Sequence, residues 1–406
     1  MIVSTSYQWS NVGARLLGVI GILSLLATAK NADAQDIGDT LQVHGFLSQA
    51  LVITDDNNFF GPSSEGGGST QFTEVGVNFS VRPHEDILVA AQVLSRRAGG
   101  NGSEAQPELD YGLIDYQIIS NLERTVGIQV GRIKNPFGFY NQTRDVAFTR
   151  PSILLPQSIY FDRTRSLGLA GDGAGIYFDE NLPNGRIRAE FSVGNALVGD
   201  DVERTLGLSR FPGSFEPRSS IIGQIRYEHD GGRIISALSA GQAKADYNSP
   251  ENGVGDGHLV FEPWVLSVQY NAENWSLTSE YALRKVSLNE FQAYRNFKTI
   301  GESWYLQYTY RFYDDWEWLI RYDSLISNRD DPSGEEFEKS GLGPAHSQYA
   351  KDTTIGLQWQ IHPQVLLSTE YHYVNGTGWL PVQDNPDSSD TKKYWNMFLT
   401  QISLRF

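Results

Sequence analysis

Two nested rhythms constrain this chain more than any other feature. Within segments, apolar and polar side chains alternate; between segments, the connections alternate short and long. Residues 187–193 read Ile187-Arg188-Ala189-Glu190-Phe191-Ser192-Val193, which puts the apolar groups on one face and Arg188, Glu190 and Ser192 on the other. The same reading fits 275–284 and 303–312, where Trp304, Leu306, Tyr308, Tyr310 and Phe312 oppose Ser303, Gln307, Thr309 and Arg311. A period of two excludes amphipathic helices over these stretches. Sixteen strands are expected, near 41–53, 70–82, 87–97, 107–119, 125–134, 172–180, 186–198, 219–229, 232–244, 259–271, 275–287, 300–312, 316–327, 350–362, 364–374 and 392–406.

Seven connections are tight turns, among them Asn181-Leu182-Pro183-Asn184-Gly185 and His229-Asp230-Gly231-Gly232. Eight are longer polar stretches, at 54–69, 98–106, 135–171, 199–218, 245–258, 288–299, 328–349 and 375–391. Strict alternation of this kind is what an all-β, antiparallel up-and-down barrel requires when both ends of the chain lie on the short-turn side. Greek-key crossovers in a sandwich would break it. A sheet crosses a bilayer only if it closes on itself, because every backbone amide in hydrocarbon needs a partner within the protein. Alternate residues then face lipid and water, which accounts for a mean hydropathy of only -0.35 in a transmembrane chain. Aromatics near strand ends, as in Trp316 with Trp318, Tyr371 with Tyr373, and Tyr394 with Trp395, are expected to form girdles at the two interfaces.

Residues 1–34 have the layout of a secretory signal peptide: Arg15, an uncharged apolar run from Leu16 to Ala29, and a small-x-small end at Ala32-Asp33-Ala34. Residues 35–406 are then one exported domain. Beyond residue 34 no uncharged apolar run is long enough for a membrane helix. The absence of cysteine excludes disulfides and thiolate chemistry, and no cofactor or metal motif appears. A net charge of -16 lacks the basic footprint of a nucleic-acid binder.

The chain ends Phe398-Thr400-Ile402-Leu404-Phe406 on one face of a final strand, similar to the assembly signal of bacterial outer-membrane barrels. With HGFLSQALVITDDNNFFG (44–61), GRIKNPFGFYNQTRD (131–145) and FTRPSILLPQSIYFDRTRS (148–166), the sequence resembles a family of porin-like outer-membrane proteins of Gram-negative bacteria, distantly similar to phosphate-selective and general porins. The resemblance implies a sixteen-stranded barrel, commonly trimeric, whose third long loop folds inward to narrow a channel for small hydrophilic solutes. It also implies a setting among outer-membrane lipid and lipopolysaccharide.

Here the third long loop is 135–171, the longest of the eight. Lys134, Arg144, Arg150, Arg163 and Arg165 against Asp145, Asp162 and Asp172 leave this stretch two charges positive in an acidic chain. One reading makes Lys134, Arg144, Asp145, Arg150, Asp162, Arg163 and Arg165 a pore constriction leaning toward anions, since charge at the narrowest point sets selectivity. The other pairs Arg144 with Asp145, and Asp162 with Arg163 or Arg165, merely to pin the loop. Wall groups of inward phase include Arg186, Arg188, Arg226, Glu228, Glu280, Arg284, Arg311, Glu317 and Arg321, mixed in sign as in a water-filled lumen. Acidic clusters such as Asp55-Asp56, Asp200-Asp201, Asp330-Asp331 and Asp384 with Asp387 read as solvated loop faces, with divalent bridging to lipopolysaccharide as the alternative. The competing functions are a non-conducting scaffold or adhesin and a hydrolase. The hydrolase would have to use His372 with Ser368, about 13 Å apart along an extended strand. No G-x-S-x-G or HExxH segment supports catalysis, so none is expected.

Overall fold

A computed structural model describes residues 41–100, 105–251 and 253–406. The expected leader over 1–34 lies outside the described residues. Sixteen strands run in order: β1 (Leu41–Thr54), β2 (Ser69–His84), β3 (Ile87–Ala98), β4 (Pro107–Ser120), β5 (Arg124–Lys134), β6 (Ala170–Leu182), β7 (Gly185–Ala196), β8 (Ser214–His229), β9 (Ile234–Asn248), β10 (Gly257–Asn271), β11 (Trp275–Asn289), β12 (Phe297–Tyr313), β13 (Trp316–Ile326), β14 (Tyr349–His362), β15 (Val365–Gly376) and β16 (Tyr394–Arg405). Each pairs antiparallel with its sequence neighbours, and β1 pairs with β16 from Phe46↔Arg405 to Thr54↔Met397, closing the barrel. Backbone bonds between Gly45 and Phe406 extend that seam to the last residue.

The burial pattern inverts that of a water-soluble protein. Val130, Ile225 and Ile355 are each 56% exposed on the outer face, whereas Glu280, Arg321 and His372 on the inner face are at most 1% exposed. Apolar residues outside and ions inside suit a protein whose outer solvent is hydrocarbon. Outward aromatics pair across neighbouring strands. Trp275 stacks with Tyr308 at 5.7 Å, and Trp316 with Trp359 at 4.9 Å, near the short turns; Trp264 meets Tyr281, and Trp304 meets Tyr322, near the middle of their strands. Trp395 departs from its expected girdle role: it faces inward, buried against Trp379.

β8 starts five residues before its expected beginning, because a register shift between Arg218 and Ile221 lets pairing resume beyond Pro217. Among the described residues, three short α-helices interrupt the long loops: α1 (Arg165–Leu169), α2 (Asp200–Leu206) and α3 (Glu335–Lys339). The long loops pack through apolar clusters. One joins Phe59, Phe60, Trp379 and Leu380 to Ile153 and Leu154 of the third loop; another joins Leu167 of α1 and Val202 of α2 to Leu208, Tyr247 and Phe291.

Candidate functional site: the third long loop and the barrel wall

The third loop (135–169) leaves β5 through Asn135-Pro136-Phe137-Gly138-Phe139. Gly138 adopts φ +60, and a Cβ there would strike the Tyr160 hydroxyl. Glycine accepts that conformation at little cost. The turn brings the Gly138 N–H to Ser239 Oγ (3.1 Å) and its carbonyl to Gln224 Nε2 (2.9 Å), both on the inner wall. Next, the Phe139 N–H donates to Glu280 Oε1 (2.9 Å), and Glu280 also accepts from the hydroxyls of Tyr160 (2.7 Å), Tyr305 (2.9 Å) and Ser267 (2.6 Å).

The loop reaches the far wall at its middle. Glu370 of β15 accepts the N–H of Ile153 and, at 3.2 Å, that of Leu154; Asp323 of β13 accepts the Ser158 N–H at 3.2 Å. Arginines hold the carbonyls: Arg321 donates to Leu154 O (3.0 Å) and Ser152 Oγ (3.1 Å), and Arg284 to Ser158 O (3.0 Å) and Ser303 Oγ (2.6 Å). Wall ions thus bond to loop backbone, satisfying amides and carbonyls that would otherwise be buried without partners. His372, the candidate hydrolase residue, sits behind this anchor. Its Nδ1 lies 2.8 Å from Asp352 and its Nε2 3.3 Å from Glu370.

Six of the seven residues singled out from the sequence fall into two places. Lys134 donates to Asp110 (2.5 Å) and Asp145 (2.9 Å), and Arg165 also binds Asp145. Asp162 receives Arg96 at 2.8 Å and lies 3.7 Å from Arg144; Arg96 continues to Glu74 (3.0 Å), which Arg150 meets at 3.2 Å. The pairings expected from neighbouring positions, Arg144 with Asp145 and Asp162 with Arg163 or Arg165, give way to these longer-range ones. Arg163 turns away and donates to the Gly378 carbonyl in the last long loop. Burial pushes Asp145 up, but Arg165, Lys134 and Arg144 outweigh it and hold the carboxyl well below the usual range. Burial lowers the guanidinium of Arg144 to about 10 and that of Arg163 likewise to about 10.

Arg96, Glu74, Asp110, Asp323 and Glu370 were not singled out from the sequence; the only signal they offer there is an ionisable side chain in a strand's inward phase. Of the wall groups, Glu280, Arg284 and Arg321 anchor the loop. Arg186 and Arg188 bind Asp179, Arg226 binds Glu228, and Arg311 lies 3.9 Å from Glu317. The acidic loop clusters bond to backbone: Asp384 accepts from Gly61 N and Gly100 N, Asp201 from Ser166 N, and Asp331 from Phe337 N. His84, Glu85 and Asp86, on the exposed β2–β3 turn, bring three potential metal-ligand atoms together.

Between the loop and the wall of β6–β10 lies a narrow gap, open at its mouths. The wall there is stripped of bulk, with Gly171, Gly173, Ser192, Gly194, Ser220 and Gly241 along it. Among the described residues its charged lining is Arg144, Arg165 and Arg284, with no carboxylate. A second cavity lies on the short-turn side of the loop and is mixed in sign, with Arg150 and Arg311 facing Glu273, Asp314, Asp315 and Glu317.

No family model and no curated protein matches this sequence. Solved structures do match its fold. The outer-membrane expressed OmpT of Vibrio cholerae aligns over 92% of this chain and 99% of its own, with 9% identity and a TM-score of 0.57. An anion-selective porin from Comamonas acidovorans aligns over 90% and 99%, with 11% identity and a TM-score of 0.58. OmpF of Salmonella typhi, solved with daunomycin, aligns over 92% and 99%, with 13% identity and a TM-score of 0.56. The chain therefore has the closed sixteen-stranded fold of these porins and is distantly similar to them.

Proposed function

We propose that this chain is a passive diffusion channel of the Gram-negative outer membrane, exported on the leader at 1–34 and leaning toward anionic solutes. It carries out no catalytic step. The observation that carries the reading is the gap beside the third loop, whose charged lining is three arginines with no carboxylate. Low-dielectric walls focus the field of such groups on whatever passes, so their sign decides which ions are enriched there. The inverted burial of the barrel and its fold support the membrane setting, and association of copies into a homo-oligomer, a trimer by resemblance, fits the same reading.

The test is single-channel recording of the purified chain in a planar bilayer under a KCl gradient. Stepwise conductance with a reversal potential on the chloride side is expected. Replacing Arg144, Arg165 and Arg284 together by Gln is expected to lower the chloride-to-potassium permeability ratio by about twofold or more. The loop's bonds to walls on both sides of the lumen favour one alternative, a non-conducting scaffold. A folded, inserted preparation that passes no current would establish that reading instead.

A further inference from the structure

The gap is unusual in what accompanies its arginines. Most of the surface it presents is apolar, contributed by Ile133, Phe137, Ile159, Phe161, Ile222 and Phe261. The Arg284 guanidinium lies over the Phe161 ring, 4.9 Å from its centroid. A fully hydrated inorganic anion gains nothing from such walls, and a neutral sugar brings no counter-charge to Arg284, which, unlike Arg165 with Asp145 and Arg144 near Asp162, pairs with no carboxylate among the described residues. We infer that the gap is a binding station for organic monocarboxylates with a flat or slender apolar body. The carboxylate takes N–H groups of Arg284 beyond those given to Ser158 and Ser303, and the hydrocarbon part lies against Phe161 and Phe261.

The geometry supports this assignment in two ways. Guanidinium N–H groups in a planar fork match both oxygens of a carboxylate, which fixes the head. The side-chain-poor wall of Gly171, Gly173 and Gly194 lets an apolar body lie close against the sheet, which suits a planar ring. The inference rests on the channel reading, and it specifies the solute class that the channel favours.

The test adds sodium benzoate, acetate, phosphate or neutral benzamide, each at the same concentration, to the conducting full-length barrel. Benzoate is expected to interrupt the current in a saturable manner, with half-effect at a concentration about tenfold lower than acetate, phosphate or benzamide, equivalent to about 1.4 kcal/mol. Phe161→Ser and Phe261→Ser are made separately, each checked for folding by heat-modifiable gel migration; either should bring benzoate toward acetate. Benzoate acting no more strongly than acetate overturns the inference, as does a benzoate effect that survives both substitutions. In both cases an anion-leaning KCl reversal potential leaves the channel reading standing. Absence of any conductance overturns the two together.

Discussion

A buried carboxylate is stable only where charge or donors surround it, and the third loop depends on several such groups. Glu370 accepts two consecutive backbone N–H groups, from Ile153 and Leu154, while touching His372. Glu370→Gln keeps the volume but replaces a charged acceptor with a neutral one. Bonds to charged groups contribute about 1.5–3 kcal/mol each, so the loop's middle should loosen by a few kcal/mol at most. Faster tryptic cleavage after Arg163 or Arg165 and noisier single-channel current are expected, with heat-modifiable migration retained. Asp145 sets the loop's response to acid. Its carboxyl is held well below the usual range by Arg165, Lys134 and Arg144 despite burial. A depressed folded value means that its contribution is complete above the free value of about 4 and is lost only as pH falls through the lower folded value. Conductance between pH 7 and pH 5 should therefore be insensitive to this group, whereas Asp145→Asn should show a loosened loop already at pH 7. A wild-type transition near pH 5 that Asp145→Asn abolishes would contradict this assignment.

At the scale of elements, the slot beside the loop follows from which strands carry small inward residues. Ser192 of β7 lines it, paired with Gly175 of β6 and two positions along β7 from Gly194. Ser192→Trp fills the slot without touching an ion, and it should cut single-channel conductance to less than about half, because current through a narrow pore follows its open cross-section. Unchanged conductance would place the current elsewhere, in the space on the far side of the loop. The sixteen strands themselves were legible because alternation and turn chemistry are local: each boundary falls within a few residues of its expected place, except where the bulge beyond Pro217 extends β8. Helix α2 was legible in principle. Asp200, Asp201 and Glu203 occupy its first turn, and Gly207 closes it in the left-handed conformation. Those acids read instead as a solvated face. The partners of the loop could not be read, because they join residues far apart in the chain: Ile153 meets Glu370 across 217 positions, and Arg150 meets Glu74 across 76. Alternation says that Glu370 points inward, but only closure of the barrel says what it meets there.

At the scale of the whole molecule, the proposed channel would set two fields of opposite sign on a permeant ion. The chain carries a net charge of -16, with acids concentrated in the long loops at the barrel mouth, while the charged lining of the gap is three arginines. These fields have different reach. At 0.01 M salt the Debye length is about 30 Å, so the acidic loops enrich cations over the whole mouth; at 1 M it is about 3 Å, and only groups next to the ion still act on it. The arginines of the gap are such groups. Chloride preference should therefore strengthen as salt rises at a constant gradient ratio, the opposite of a channel whose selectivity comes from surface charge. Reversal potentials at a fixed tenfold KCl gradient, taken with the dilute side at about 0.01 M and again at about 0.1 M, measure this directly. A cation preference at low salt that fades as salt rises, with no chloride preference emerging, would move the selectivity determinant from Arg144, Arg165 and Arg284 to the acidic loop surface. In that case, neutralising the three arginines should leave the reversal potential unchanged.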